Sequence, residues 1–291
     1  MIAGERFYPA NAVSLTMAEQ RTFYDLYCAH FRKPRPENIA VKDFAVGPVL
    51  CRRYAPKLSK NLPAMLYLHG GGYVLGGLES HDDVCAEISD RADIAVVGVN
   101  YRLAPEHPFP AAFDDAWAVL QHLAGQFDKI IIGGDSAGGN LSAAVALKAR
   151  DLGGPKIAGQ VLIYPGLGGD VTKGSYVSQA NAPGLATKDV LYYCNIYKGG
   201  ANKFAEPLRE TNFAGLPPAF IVAAGLDPLC DDSENYAVRL RNANVPVKVR
   251  QEPLLVHAFL RARHMSEPAR QSFSAIVRAA RQLAHNGNLP D

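Results

Sequence analysis

Gly134-Asp135-Ser136-Ala137-Gly138-Gly139 follows the apolar run Ile130-Ile131-Ile132 and leads into a helix-like segment, Asn140 to Arg150. Strand, glycine-flanked serine, helix is the setting in which G-x-S-x-G becomes a nucleophile elbow. So sharp a turn leaves no room for side chains at Gly134 and Gly138, and it forces the serine into strained backbone geometry. Ser136 is therefore expected alone at the mouth of a cleft, at the positive end of a helix.

Outward from the elbow, strands and helices alternate. Val41 to Val46 and Val49 to Tyr54 read as two strands around Gly47-Pro48, after a helix from Leu15 to Phe31 that Lys33-Pro34-Arg35-Pro36 ends. Ala64 to Leu68, Ile94 to Val99, Ile130 to Ile132, Ile157 to Tyr164, Ala219 to Ala224 and Val245 to Gln251 are further strands. Helices are expected at Ala111 to Phe127, Asp231 to Asn242 and Pro268 to His285. Alternation of this kind predicts an α/β fold with a mostly parallel central sheet and helices on both faces. The first two strands should be antiparallel to each other. Residues 170–214, polar and irregular apart from a helix at Thr187 to Tyr197, break the alternation. With about 1–36 they are expected to form a helical cap over a single domain spanning 1–291.

A serine hydroxyl needs a base, and the base needs a carboxylate that fixes its tautomer. Three histidines follow Ser136: His257, His264 and His285. Only His257 comes shortly after a strand, across the loop Glu252 to Val256, so it is the expected base. Asp227 follows the strand Ala219 to Ala224 through Gly225-Leu226 and is preferred as the acid on position. Asp231 and Asp232 are close rivals one turn away, and Asp170 is a further one. For the oxyanion, His69-Gly70-Gly71-Gly72 follows the strand Ala64 to Leu68. Bare glycine amides at Gly71 and Gly72, with that of Ala137, can approach a developing negative charge. No G-K-[ST] follows these glycines, so a phosphate loop is not indicated. His69 and Asp135 read as bracing residues, and Tyr101 to Ala111 as a proline-stiffened loop pinned by an Arg102–Glu106 pair.

These stretches together resemble the hormone-sensitive lipase family of α/β-hydrolases: His69 to Gly72, Gly134 to Gly139, Asp227-Pro228-Leu229 and His257-Ala258-Phe259, with Tyr101 to Ala111 similar to a stretch common there. The resemblance covers roughly residues 60 to 260. It implies an α/β-hydrolase fold with a helical cap and carboxylesterase activity without a metal or organic cofactor. By position it implies Ser136 as nucleophile, Asp227 as acid, His257 as base, and Gly71, Gly72 and Ala137 as oxyanion donors. One departure stands out, because the family often has glycine where this chain has Ala258. A negative φ there accommodates the methyl, whereas a positive φ requires the loop to shift.

Soluble short- to medium-chain acyl esters are the expected substrates, with Tyr192 and Tyr193 as candidate substrate-binding residues and Phe7 and Tyr8 near the entrance. An amidase, a formamidase or a deacetylase would use the same triad. A non-catalytic small-molecule receptor is disfavoured, since serine, acid and histidine are all present. A net charge of +2 without a basic run argues against nucleic acid as a partner. The dispersed arginines Arg261, Arg263, Arg270, Arg278 and Arg281 read as solvated helix faces. Met1 to Leu15 lacks the apolar core of a signal peptide, and no apolar stretch suits a membrane span. Five widely spaced cysteines without a C-x-x-C pair fit reduced thiols of a cytoplasmic protein. The last strand offers an edge for pairing with a second copy.

Overall fold

A computed structural model describes residues 12–290. Its centre is one eight-stranded sheet: β1 Ile39–Val46, β2 Val49–Pro56, β3 Ala64–Leu68, β4 Ala95–Val99, β5 Ile130–Asp135, β6 Gln160–Ile163, β7 Ala219–Leu226 and β8 Val247–Val256. The spatial order is β1-β2-β4-β3-β5-β6-β7-β8. β2 pairs antiparallel with both β1 and β4, and every later pairing is parallel. The expected α/β architecture is therefore present.

Side chains alternate across the sheet with the period of two that strand geometry imposes. Leu66, Leu68, Ile130 and Ile132 enter one apolar layer, while Met65, Tyr67 and Ile131 enter the other. The first layer is closed by helices α3 Ala111–Ala124, α4 Ala137–Asp151 and α7 Cys230–Asn242; the second by α2 Asp82–Ala92 and α8 Glu267–Asn286. Burial on both faces is why β3, β4 and β5 are almost continuously apolar.

Three helices lie outside this sandwich: α1 Met17–Phe31, α5 Ser175–Ser178 and α6 Thr187–Tyr197. Thr16 and Glu19 cap α1 reciprocally, with Thr16 N–H donating to the Glu19 carboxylate and Glu19 N–H to the Thr16 hydroxyl. Gln20 donates 2.8 Å to the Tyr192 hydroxyl and so ties α1 to α6. Phe7 and Tyr8 lie outside the described residues.

Several local readings change. α4 begins at Ala137, directly after the serine, not at Asn140. β6 is only four residues long: residues 157–159 precede it, and at its end the chain turns at Tyr164, whose φ is +35°. Arg102 does not pair with Glu106. It holds Asp115 with a two-pronged contact at 2.7 and 3.0 Å, and Glu106 pairs with Arg21 of α1 at 2.7 Å. Arg261 and Arg263 are buried rather than solvated.

The change that matters most for the site is at β8. Glu252 to Val256 extends this strand instead of forming a loop. β7 likewise runs to Leu226, and Leu226 pairs with Val256 across a bulge. The bulge falls at Gly225, where a Cβ would lie 2.6 Å from the Pro253 backbone.

Candidate active site

Gly134 and Gly138 flank the serine because the turn packs against β3. A Cβ on either would land on the carbonyl oxygen of Leu68. Ser136 is held at φ +55°, ψ −119°, a conformation costly for any residue with a side chain. Its amide is anchored to Ile163 at 2.9 Å. The hydroxyl is thereby raised from the carboxyl edge of β5, while Ala137 opens α4 with an amide that has no acceptor inside the helix.

Asp227 and His257 are the residues that immediately follow the paired Leu226 and Val256. Sheet register alone brings them side by side. His257 Nδ1 lies 2.6 Å from Asp227 Oδ2, and His257 Nε2 lies 2.9 Å from Ser136 Oγ. The second Asp227 oxygen accepts from the Leu229 amide at 2.9 Å, and the carboxylate is wholly buried. The Tyr164 ring packs 4.8 Å from the imidazole.

The rival carboxylates are elsewhere. Asp231 accepts from the Ser175 amide at 2.8 Å, and Asp170 holds Thr172 and Lys173. Asp232 is buried, with one oxygen accepting from the Leu167 amide and the Tyr176 hydroxyl at 2.6 and 3.0 Å. Its other oxygen has no partner among the described residues. Burial pushes its carboxyl up to about 6. His264 meets Glu87 at 3.0 Å, and His285 meets the Asp93 carbonyl at 3.0 Å.

Beside the serine, the Gly71 carbonyl turns inward to accept from Val74 and Leu75 at 3.1 and 2.9 Å. Gly71 and Gly72 sit at φ +125° and +60° and line the same cavity as Ser136. A Cβ on Gly72 would lie 2.6 Å from the Tyr193 ring, so that tyrosine packs directly over the turn. Tyr197 stacks on Tyr73 at 3.7 Å and fastens α6 to the same loop. Tyr193 lines the cavity, whereas Tyr192 stands outside its walls.

Asp135 links this loop to the elbow. One of its oxygens accepts from the Gly70 amide at 3.0 Å and the Tyr67 hydroxyl at 2.9 Å, and the other lies 3.2 Å from His81 Nε2. Burial alone would raise its carboxyl, but His81 and Arg261 outweigh burial and hold it well below the usual carboxylate range. His69 stacks on Tyr101 at 4.1 Å, and burial pushes it down to about 3, so it stays neutral. Ala258 has φ +60°, the left-handed conformation in which its methyl is strained. The imidazole next to it nonetheless keeps both contacts described above.

Ser136 and His257 open into a cavity of about 1770 Å³. Part of its wall comes from Tyr24, Tyr27 and Phe31 of α1, and another part from Arg261, Ala262 and Met265. None of these was selected from the sequence. Helix α1 was expected in the cap, but no residue of it in this wall was singled out for that role.

A family profile described as alpha/beta hydrolase fold matches residues 65–261. The chain is 38% identical over 275 residues to esterase LipI of Mycobacterium tuberculosis, covering 88% of this chain and 82% of that protein. It is 39% identical over 248 residues to carboxylesterase NlhH of the same organism, covering 80% and 74%. The solved structure of a bacterial heroin esterase superposes with a TM-score of 0.91 at 28% identity, over 98% of this chain and 97% of that one.

Proposed function

The chain belongs to the hormone-sensitive lipase branch of the α/β-hydrolase family, and we propose that Ser136, His257 and Asp227 are its nucleophile, base and acid. It is a serine carboxylesterase. The observation that carries the residue assignment is the pair of contacts at 2.9 and 2.6 Å joining the three side chains beside the Gly71–Gly72 turn.

In this reading His257 Nε2 takes the Ser136 proton as Oγ bonds to the ester carbonyl carbon. Asp227 holds the proton on Nδ1, which leaves Nε2 free to accept, and it stabilises the imidazolium that forms. Negative charge on the carbonyl oxygen is met by the amides of Gly71, Gly72 and Ala137, which are oriented before reaction and need no reorganisation. The tetrahedral species collapses as His257 protonates the departing alkoxide. Water then gives a proton to His257 as it attacks the acyl-enzyme carbon, and the second tetrahedral species collapses as His257 passes that proton to Ser136 Oγ, releasing the acid and the free serine.

Ser136→Ala should reduce kcat on 4-nitrophenyl butyrate by several orders of magnitude and abolish fluorophosphonate labelling. Near-normal turnover in that variant would end the assignment.

We assign α1 and residues 170–214 to a cap. Its contacts to the loop below favour short- to medium-chain acyl groups. Arg21 donates to the carbonyls of Val74 and Ala104 at 3.0 and 3.1 Å, and Tyr193 and Tyr197 clamp Gly72 and Tyr73. A roof fastened at these points restricts the reach of a long chain. Rates on 4-nitrophenyl esters from C2 to C16 should peak at or below C8, and a maximum at C14 or beyond would exclude this preference. Among the described residues no helix is long and apolar enough to cross a membrane. Five free cysteines fit a reducing compartment such as the cytoplasm. β8 ends the sheet, and pairing of two copies along it would give a dimer that sedimentation would detect.

A further inference from the structure

Arg261 stands four residues beyond His257, in the turn Phe259–Ala262, with 6% of its surface exposed. A guanidinium remains charged in proteins, and burying one is costly unless a carboxylate is beside it. Its neighbour Arg263 meets that requirement twice, with Asp83 at 2.5 Å and Glu87 at 2.8 Å. Arg261 does not: among the described residues it has no carboxylate within ion-pair distance.

Its actual partners are weaker. Nη1 donates to the Ser80 carbonyl. Nη2 lies 3.0 Å from Nε2 and 3.4 Å from Nδ1 of His81. Contact with both ring nitrogens at once sets the guanidinium against the imidazole face, where no lone pair points at it. The Tyr24 hydroxyl of α1 accepts a further, uncharged hydrogen bond from the group. The carboxylates in electrostatic reach are Asp135, across the His81 ring, and Asp83, already taken by Arg263. The same residue forms part of the wall of the cavity that contains Ser136 and His257.

We infer that Arg261 receives an anionic group of the substrate, so that the preferred esters carry a carboxylate on their acyl or alcohol part. This rests on the esterase reading of the site. The ester carbonyl lies at Ser136 while the remote carboxylate meets donors that the protein leaves without an anion. Such a contact is a charge-assisted hydrogen bond to a largely buried guanidinium, the strong kind. A purely structural rival exists, in which Arg261 only braces Ser80 and His81.

The test compares each carboxylate ester with its neutral carboxamide isostere. Mono-4-nitrophenyl glutarate against 4-nitrophenyl 4-carbamoylbutyrate probes the acyl side; 3-carboxyphenyl butyrate against 3-carbamoylphenyl butyrate probes the alcohol side. At least one carboxylate member should be favoured in kcat/KM by about ten- to hundredfold, the range of a hydrogen bond to a charged group. Arg261→Met should bring that ratio to near one, Arg261→Lys should retain part of it, and potassium chloride should reduce it in the unaltered enzyme. No carboxylate preference in either pair, or a preference unchanged in Arg261→Met, overturns the inference. Should Arg261→Met not fold, the lysine variant and the salt dependence decide, and a preference that both leave unchanged overturns it as well. Failure to hydrolyse any of these esters, 4-nitrophenyl butyrate included, would instead overturn the esterase reading itself.

Discussion

Asp227→Asn replaces one carboxylate oxygen with an amide nitrogen, and the two contacts of that carboxylate cannot both survive. Oδ2 accepts from His257 and Oδ1 from the Leu229 amide, at 2.6 and 2.9 Å. An asparagine has one acceptor for these two donors. If its oxygen serves His257, its NH2 confronts the Leu229 N–H and a buried amide goes unsatisfied, at about 1–3 kcal/mol. If its oxygen serves Leu229, its NH2 donates to Nδ1, and the imidazole proton moves to Nε2, where it blocks acceptance from Ser136. The unproductive arrangement therefore dominates by about five- to 150-fold. The productive minority also lacks the charge that stabilises the imidazolium, a second loss of about 1.5–3 kcal/mol. Together these predict a fall in kcat of about two to four orders of magnitude, with KM changed little. Stopped-flow burst kinetics with 4-nitrophenyl butyrate would locate the loss in acylation. Asp232→Asn is the control, since Asp232 does not touch His257. An Asp227→Asn enzyme within fivefold of the original rate, or an equal loss in Asp232→Asn, would refute the reasoning.

Asp232 carries its own prediction. Its folded pKa, raised by burial from 3.8 to about 6, means the fold prefers the protonated acid. That contribution is fully present below pH 3.8 and is lost as pH rises through 6, at a cost on the order of 3 kcal/mol. In urea unfolding, Asp232→Asn should gain stability relative to the parent between pH 4 and pH 7; a constant difference across that range would exclude this. Gly72→Ala combines a left-handed φ with a Cβ only 2.6 Å from the Tyr193 ring. By displacing the turn it should lower kcat/KM about tenfold or more, up to the roughly 100- to 1000-fold that loss of an oxyanion donor costs, and Tyr193→Ala in the same chain should restore part of the rate. No rescue would separate Tyr193 from the turn. Ala258→Gly relieves about 1 kcal/mol of left-handed strain, against about 0.4–1 kcal/mol of added freedom in the unfolded chain. Thermal unfolding should shift upward slightly or not at all, with kcat retained, and a clear drop in Tm would contradict the φ of +60°.

The fold class was legible because local signals agreed: apolar runs at Ile130–Ile132 and Ala64–Leu68, each followed by glycines, admit few structures other than buried parallel strands. The candidate site was legible where a backbone constraint marks it, as glycine does around Ser136 and in His69 to Gly72. Residues defined only by three-dimensional neighbours were not. Arg261 belongs to an arginine-rich stretch whose composition suggests a solvated surface, and its burial depends on Ser80, His81 and Tyr24, distant in sequence. Arg102 and Glu106 invited pairing by proximity, yet Asp115 and Arg21 presented better geometry from neighbouring helices.

The end of β8 is a difference of another kind, because it bears on how His257 is held. Glu252 to Val256 contains Pro253 and lacks the alternation of a half-buried strand, so it reads as a loop. Its two ends pair nonetheless, Glu252 with Ala224 and Val256 with Leu226, and Pro253 falls in the register shift opposite Gly225, where no ladder hydrogen bond is asked of it. The difference is functional. A loop would leave His257 with several rotatable residues between it and the sheet; the observed register leaves none, since Val256 is itself paired with Leu226. The 2.6 Å contact between Asp227 and His257 is thus set by hydrogen-bonded backbone, the most rigid support available to a pair of side chains 30 residues apart. The bulge at Gly225 is part of that support: it accommodates Pro253, and any side chain there would push the two strand ends apart.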